Sequence, residues 1–419
     1  MGDTAPLPEP ALSVAPAGPI TGAERIVSLD VLRGFAVLGI LVMNIQSFSM
    51  PGTAYVNPTV YENLEGVNYA VWYGCHLLAD MKFMSIFSML FGAGIVVMTS
   101  RREATGESSA GVHYRRMGWL LLFGLLHAYG LWYGDILFTY ALCGLVAWLF
   151  RRLPPWALIA LGVVAVTIGW GAGKGLNTVA PSPVEQATAW WAPPPETVQA
   201  EVDAYRGGWL DQMGHRALMA VFFQTFLLLL SIGWRAGGMM LLGMALFKLG
   251  VFSATRSRGL YITFIAVAIV VGLPTIGYGV HRNEAAAWSV EYSFRFGTQY
   301  NYWASILVAL GWVGVVMLAC QAPALGLITR PLAAVGRMAL TNYLMQTIIC
   351  TTIFYGHGFG YFGSFSRVEQ LLTVVAVWVF QLVVSPIWLR FFQFGPFEWL
   401  WRSLTYLKPQ PVLRRSDAC

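Results

Sequence analysis

Apolar segments long enough to cross a lipid bilayer recur along the chain from residue 27 to residue 392. A helix needs about 20 mainly apolar residues to span the roughly 30 Å of hydrocarbon, and a spanning segment must satisfy its backbone polar groups internally. The spacing therefore predicts an all-α, polytopic membrane bundle of about ten transmembrane helices. The predicted spans are residues 27–48, 71–99, 117–134, 136–150, 155–173, 217–252, 259–280, 299–320, 332–355 and 368–392.

The composition indicates a membrane domain rather than a soluble domain with an anchor. Charged residues make up 11% of the 419 residues, against about 25% in soluble proteins. No segment outside the predicted spans is long enough to build a sizeable soluble core. The five cysteines include no C-x-x-C pair, so we expect neither a disulfide framework nor a metal site.

The basic residues predict the orientation of the bundle. Arginines and lysines gather after the second, fourth and tenth spans and before the seventh and ninth, which puts them all on the side of the N-terminus. The positive-inside rule then places both termini in the cytoplasm, and we expect a bacterial plasma membrane. The same rule accounts for the net charge of +6 without a nucleic-acid partner.

The chain divides into three predicted parts. Residues 1–24 are rich in proline and alanine and lack the basic and apolar regions of a signal peptide, which predicts a disordered tail. Residues 25–406 form a single transmembrane domain, and residues 407–419 form a basic C-terminal tail. The orientation requires 217–252 to cross once, as one long or interrupted helix, although a break at 233–238 into two helices is an alternative. One crossing places Arg235 inside the membrane; otherwise Arg235 lies at an interface.

Polar side chains from several spans fall at similar predicted depths. With a rise of about 1.5 Å per residue, His127 and Asp80 both lie roughly 15 Å deep. Buried ionisable residues in a membrane are costly and usually functional, so the shared depth predicts one polar chamber. The alternative is a hydrogen-bonded network that only locks the helices together. The predicted chamber residues are Asn44, Asp80, Lys82, His127, Arg235, Asn342 and Gln346.

His127 is the leading catalytic candidate, because neighbouring charges can bring an imidazole to exchange a proton near neutral pH. We expect Asp80 to orient it. Asp135 follows a glycine at the outer turn and is a further catalytic candidate, with the cap of span four as the alternative; a direct contact with His127 is not expected. Asp30 and Arg33, three residues apart, predict an ion pair, with Arg33 as an alternative ligand for a polyanion such as a nucleotide phosphate.

Six sequence motifs carry a resemblance to a known family. They are R-x-x-x-L-D-x-L-R-G at 25–34, LFGAG at 90–94, RRxxxLLLFGLLHxxxLxxGDILxxYAxxG at 115–144, GWRAGGMMLLGMAL at 233–246, GRMALTNYLMQ at 336–346 and GPFEWLWRSLTY at 395–406. This set resembles the YeiB-like membrane proteins, whose C-terminal part, roughly 230–406 here, is called domain of unknown function 418. More distantly, the chain is similar to heparan-alpha-glucosaminide N-acetyltransferase and other transmembrane acyltransferases.

The resemblance implies an acyltransferase that moves an acyl group from cytoplasmic acyl-CoA to a sugar or other envelope acceptor. In the acetyltransferase the catalytic histidine precedes span two, which makes His76 a second candidate beside His127. Arg33 would hold the donor phosphates, and Asn342, Gln346 and Arg235 would stabilise an oxyanion. A small-solute transporter and a structural subunit stay open as alternatives. The oligomeric state is also open, with a homodimer as one alternative.

Overall fold

The computed structural model describes residues 25–61, 64–179 and 184–414. The predicted tail 1–24 lies outside the described residues, as do residues 415–419 of the predicted C-terminal tail. Within the described residues the chain is helical apart from turns and one isolated bridge between Phe392 and Leu413. The predicted all-α architecture is therefore confirmed.

The first half of the chain carries most of the short connecting helices. Its α-helices are α1 (Val27–Ser49), α2 (Thr53–Val56), α3 (Gly66–Leu78), α4 (Lys82–Ala104), α5 (Ala110–Gly130), α6 (Leu137–Ala147), α7 (Pro155–Val179), α8 (Val184–Trp191) and α9 (Pro195–Arg206). The second half contains α10 (Met213–Phe222), α11 (Gly233–Lys248), α12 (Arg258–Val267), α13 (Leu273–Ala285), α14 (Val290–Tyr292), α15 (Thr298–Gln321), α16 (Gly326–Arg337), α17 (Ala339–Phe354), α18 (Arg367–Phe391) and α19 (Pro396–Tyr406).

Seven helical segments in the described part of the chain are long and apolar enough to cross a membrane. They are Val27–Ser49, Gly66–Ala104, Pro155–Gly175, Met213–Lys248, Arg258–Ala285, Val290–Gln321 and Arg367–Phe391. The predicted spans 117–134 and 136–150 overlap α5 and α6, and the predicted span 332–355 contains the end of α16 and all of α17. The chain is thus a polytopic helical membrane protein, and the count of ten crossings stays a prediction.

The second predicted span is interrupted between Leu78 and Lys82, next to its polar residue Asp80. Helix α3 ends at Leu78 and α4 begins at Lys82, and between them Met81 has a φ of 64°. A non-glycine residue in this left-handed region marks a strained turn. The turn brings Asp80 and Lys82 together at the junction of two helices instead of spacing them along one helix.

The sixth span is continuous through the segment where we considered a break. A π-helical stretch, Phe223–Ile232, joins α10 directly to α11, so the alternative of two helices split at 233–238 is wrong. Gly243 on α11 and Gly92 on α4 allow close packing of these two helices. A Cβ on Gly243 would collide with the backbone of Met89, and a Cβ on Gly92 would collide with the backbone of Met240. Helices α4 and α11 therefore pack backbone to backbone.

Candidate functional site

A buried row of three side chains joins α5, α6 and α17. His127 Nδ1 lies 2.7 Å from Asp135 Oδ1, and His127 Nε2 lies 2.9 Å from Thr347 Oγ1. All three residues are at most 7% exposed. We call Asp135, His127 and Thr347 the triad.

The turn between α5 and α6 builds the first half of the triad. At the end of α5 the amides of Leu131 and Trp132 both bond to the carbonyl oxygen of His127, so the chain turns back beside the imidazole. Asp135 Oδ2 accepts the amide proton of Phe138 at 2.7 Å and caps the first turn of α6. The predicted cap is therefore present, but the expectation that Asp135 does not contact His127 is wrong, because its second oxygen reaches the ring.

The contacts of the triad suit one tautomer of His127. With the proton on Nδ1, the imidazole donates to Asp135 Oδ1, and Nε2 can accept the hydroxyl proton of Thr347. The hydroxyls of Thr351 and Thr352, farther along α17, instead bond to the carbonyl of Ile348 in their own helix. An acid, an imidazole and a hydroxyl in this order can activate a hydroxyl group by general-base catalysis.

A cavity of about 260 Å³ opens at the arginine-rich end of the bundle and ends below the triad. Seven arginines line the cavity: Arg25, Arg33, Arg101, Arg102, Arg116, Arg337 and Arg402. Most of its other lining residues are apolar or aromatic, and they include Tyr343 and Ile136, which follows Asp135. The cavity thus combines a strongly cationic mouth with an apolar interior.

Tyr343 separates the cavity from the triad. Its ring centroid lies 5.2 Å from that of His127, and its hydroxyl accepts the amide proton of Ile136 at 3.4 Å. Leu340, Tyr343 and Thr347 are spaced by three and four residues, so they occupy one face of α17. The helix face that lines the cavity therefore continues directly into the triad.

Two carboxylates organise the cationic mouth. Asp30 accepts hydrogen bonds from Arg33 at 2.7 Å and from Arg25 at 2.8 Å, which confirms the predicted ion pair. Glu398, on α19, accepts the amide protons of Leu340 and Thr341 at 2.6 and 3.1 Å and so caps α17. Burial raises the pKa of the Glu398 carboxyl, while the hydrogen bonds from Thr341 lower it.

Asp80 belongs to a second group of side chains, not to the triad. It lies 3.1 Å from His76 Nδ1 and accepts a hydrogen bond from Asn301 at 2.8 Å. Lys82 donates to Asn301 Oδ1 at 2.6 Å and to the carbonyl of His76 at 2.7 Å. We call His76, Asp80, Lys82 and Asn301 the Asp80 cluster. The expectation that Asp80 orients His127 is wrong, because the turn at Met81 directs Asp80 to α3 and α15.

Arg235 is buried beside this cluster, where both of its terminal nitrogens bond to protein groups, while its Nε has no hydrogen-bond partner among the described residues. It donates to the carbonyl of Tyr302 at 2.8 Å and to the hydroxyls of Ser85 and Ser305 at 3.1 and 2.7 Å. Its guanidinium also lies 4.6 Å from the centre of the Tyr302 ring. With 1% of its surface exposed, Arg235 is buried inside the protein, and its depth in the membrane stays a prediction.

The predicted amide residues also act in helix packing. Asn342 donates to the carbonyl of Val335 at 3.1 Å and to Ser385 at 3.0 Å. Gln346 donates to the carbonyl of Val37 at 3.2 Å and to Gln381 at 3.0 Å. The amide nitrogens of both side chains, like the terminal nitrogens of Arg235, bond to protein groups outside the triad, and the oxyanion role stays a prediction. Asn44 is half-buried on α1 and shares no hydrogen bond with either group in the described chain.

The single predicted chamber is therefore two separate groups. No hydrogen bond or ion pair joins the triad to the Asp80 cluster within the described residues. In the same ranges, no three His, Cys, Asp or Glu side chains lie close enough to hold a metal ion. Sequence analysis did not identify Thr347 and Tyr343, because neither residue type stands out in a mainly apolar helix.

A third group of buried polar atoms lies around the outer end of α17. Tyr355 follows α17, and its ring centroid lies 4.8 Å from that of Tyr205 on α9. The hydroxyls of both tyrosines, Nη1 of Arg216 and Oε1 of Gln212 have no hydrogen-bond partner among the described residues. We call these four residues the outer polar cluster. Buried polar atoms are normally paired, so this cluster has free hydrogen-bonding capacity for water or a ligand.

Comparison with known proteins agrees with the features described above. A family model described as a protein of unknown function, DUF418, matches residues 246–408. "Uncharacterized protein YeiB" of Escherichia coli strain K12 is 33% identical over 411 residues, covering 94% of this chain and 100% of that protein. "Uncharacterized protein YxaH" of Bacillus subtilis strain 168 is 32% identical over 413 residues, covering 94% of this chain and 97% of that protein. The chain therefore belongs to the YeiB-like family of membrane proteins that contain domain of unknown function 418.

Proposed function

We propose that this protein is a transmembrane acyltransferase of the bacterial plasma membrane. It takes an acyl group from cytoplasmic acyl-CoA and passes it to a hydroxyl- or amine-bearing acceptor, such as an envelope sugar, on the other side. The observation that carries this proposal is the cavity, because its cationic mouth and apolar interior end at Tyr343, in ring contact with His127.

The shape and charge of the cavity match acyl-CoA. Guanidinium groups bind phosphate oxygens with paired, charge-assisted hydrogen bonds, and seven arginines surround the mouth. Behind them the apolar wall suits the extended thiol arm and the acyl chain. The arginines lie on the side that the positive-inside rule assigns to the cytoplasm, where acyl-CoA is made.

The triad would supply the acid–base chemistry. Asp135 holds His127 with its proton on Nδ1, and Nε2 then accepts the proton of an attacking hydroxyl. Tyr343 would donate to the carbonyl oxygen as charge develops on it, since its hydroxyl proton has no acceptor among the described residues. The ring of Tyr343 must turn aside for the thioester to reach His127.

The outer polar cluster suits the acceptor. Thr347 and Tyr355 are eight residues apart, which corresponds to roughly 12 Å along a helix. The unpaired hydroxyls of Tyr205 and Tyr355 and the free nitrogen of Arg216 can bind the hydroxyl groups of a sugar. Donor and acceptor would then approach the triad from opposite sides of the membrane.

The transporter alternative has lost the feature that motivated it. That alternative depended on a break at 233–238 beside an intramembrane cation, but the helix is continuous and Arg235 bonds to three protein groups. A solute site near the midplane normally lies at an interrupted helix. The interruption at Met81 is present, but Lys82 and Asn301 fill it.

The test uses the full chain in proteoliposomes with acyl-labelled acetyl-CoA and a panel of sugars and amino sugars. We expect label in an acceptor together with release of CoA, and His127→Ala should reduce both by about 100-fold or more, which is the usual contribution of a general base. Solute uptake that does not need acyl-CoA would instead support a transporter.

His113→Gln is the matched control. His113 also lies on α5 and is fully buried, but its Nε2 faces the carbonyl of Gly144 at 3.0 Å, away from the triad. We expect this variant to transfer acyl groups at the wild-type rate per folded molecule. Wild-type turnover by His127→Ala would remove the imidazole from the mechanism and contradict the proposal.

A further inference from the structure

Thr347 is the member of the triad whose role the proposed function leaves open. Its hydroxyl oxygen lies 2.9 Å from His127 Nε2, and the side chain is fully buried in the middle of α17. A buried threonine in a membrane helix usually bonds to a carbonyl of the preceding turn, as Thr352 does with Ile348 at 2.7 Å. Thr347 bonds to an imidazole instead, and that imidazole is held by a carboxylate.

This arrangement is the one that turns a hydroxyl into a nucleophile. A free hydroxyl is a weak nucleophile, and an adjacent base oriented by a third group activates it. The distances of 2.7 and 2.9 Å along Asp135, His127 and Thr347 lie in the range expected for such a relay. No hydrogen bond to helix packing competes for the Thr347 hydroxyl in the described chain.

We propose that Thr347 is the acyl-carrying nucleophile of the transferase, an inference that rests on the proposed function. Thr347 Oγ1 bonds to the carbonyl carbon of the thioester while His127 Nε2 takes the hydroxyl proton. The carbon–sulfur bond then breaks, and His127 returns the proton to the departing thiolate, which leaves as CoA. Thr347 now carries the acyl group as an ester.

The second half of the cycle regenerates the hydroxyl. The acceptor oxygen attacks the ester carbonyl, and His127 takes the acceptor proton. The bond between the carbonyl carbon and Thr347 Oγ1 breaks, and the proton passes to Thr347. Atoms and charges balance without any further reactant.

The position of Thr347 favours a carried acyl group over direct transfer. The cavity approaches the triad from the arginine-rich side, and the outer polar cluster lies on the other side. The triad itself is at most 7% exposed, so there is little room for thioester and acceptor at the same time. A covalent intermediate lets the donor leave before the acceptor arrives, and the membrane barrier stays closed.

The test is intact-protein mass spectrometry of the full chain incubated with acetyl-CoA and no acceptor. We expect CoA release of one equivalent per protein, a mass increase of one acetyl group, and peptide mapping of that group to Thr347. Thr347→Val, which keeps the shape but loses the hydroxyl, should lose the adduct and at least ~100-fold of acyl transfer, while Thr347→Ser should keep both.

Thr351→Val is the matched control. Thr351 is a buried threonine one turn farther along α17, and its hydroxyl bonds only to Ile348 of its own helix, at 3.3 Å. We expect this variant to form the adduct normally. If Thr347→Val does not fold, the mapped site in the wild-type protein decides the question alone.

The outcomes separate the two proposals. Acyl transfer without an adduct, or an adduct on His127 or any other residue, would overturn the role of Thr347 and leave the transferase intact. Failure of the wild-type protein to release CoA from any acyl-CoA would overturn the proposed function and the inference together.

Discussion

The triad and the Asp80 cluster use similar side chains in opposite ways. Both contain a carboxylate beside an imidazole, inside the membrane domain. In the Asp80 cluster the Asp80 carboxylate is shared between His76 and Asn301, and Lys82 closes the network with two further bonds. In the triad the bonds run in a single line from carboxylate to imidazole to hydroxyl.

The difference shows what distinguishes a structural polar group from a reactive one. The Asp80 cluster ties its carboxylate, amide and ammonium groups to one another, and removing one member leaves a buried charge without a partner. A linear relay ends at a group that can give up its proton, and here that end lies behind Tyr343 at the floor of a cavity. The two groups should therefore respond oppositely to matched substitutions.

The largest expected effect separates the two aspartates. Asp135→Asn should reduce acyl transfer by about 10³–10⁴-fold, because an amide cannot hold the histidine in the tautomer that the base requires. Asp80→Asn should leave the turnover of folded protein unchanged. The rate of CoA release per monodisperse molecule measures both variants. An equal loss in both, or a greater loss for Asp80→Asn, would make the Asp80 cluster the reactive group.

The second prediction concerns stability rather than turnover. Lys82→Met removes the ammonium that bonds to Asn301 and to the carbonyl of His76, and leaves the nearby Asp80 carboxylate poorly compensated. The free energy of unfolding should fall by about 1–3 kcal/mol for each of the two buried oxygen atoms that lose their hydrogen bond. Unfolding curves in mixed detergent measure the change. His127→Gln should lower the free energy of unfolding by less than Lys82→Met. A larger loss of stability in His127→Gln would indicate that the triad is the structural group and the Asp80 cluster the reactive one.

The smallest expected effect lies at the mouth of the cavity. Arg337 lines the cavity, and its Nε has no hydrogen-bond partner in the described chain. Arg337→Gln should raise the KM for acetyl-CoA about tenfold, equivalent to about 1.4 kcal/mol, without changing kcat. The KM for acetyl-pantetheine, which lacks the nucleotide phosphates, should not change.

Arg330→Gln is the control for this charge. Arg330 is exposed near the start of α16, on the arginine-rich side, but is not among the residues that line the cavity. Its loss should leave both KM values unchanged. If Arg337→Gln changed the KM values for acetyl-CoA and acetyl-pantetheine equally, the cavity would not recognise the nucleotide phosphates.

Hydropathy was sufficient to predict the fold but not its interruptions. The apolar segments predicted an all-α membrane bundle, because helices are the common way to satisfy a backbone in hydrocarbon. The left-handed turn at Met81 and the π-helical stretch at Phe223–Ile232 were not predicted. Both depend on how neighbouring helices pack, and a run of apolar letters carries no information about that packing.

The site was only partly predictable, because counting residues gives depth but not direction. His127 and Asp80 were placed at the same depth, yet they face different helices and have different partners. Asp135 was counted as two turns away, although the chain turns back beside the imidazole at Leu131 and Trp132. Thr347 gave no signal, since a threonine in an apolar helix usually satisfies itself.

The most direct test is a cryo-electron microscopy structure of the full chain with a non-hydrolysable acetyl-CoA analogue. We predict nucleotide phosphates among the arginines of the mouth, a displaced Tyr343 ring, and the analogue's carbonyl carbon beside Thr347 Oγ1 and within reach of His127. Density for the acyl end at the Asp80 cluster would contradict the account. So would a cavity without density for the analogue at a saturating analogue concentration.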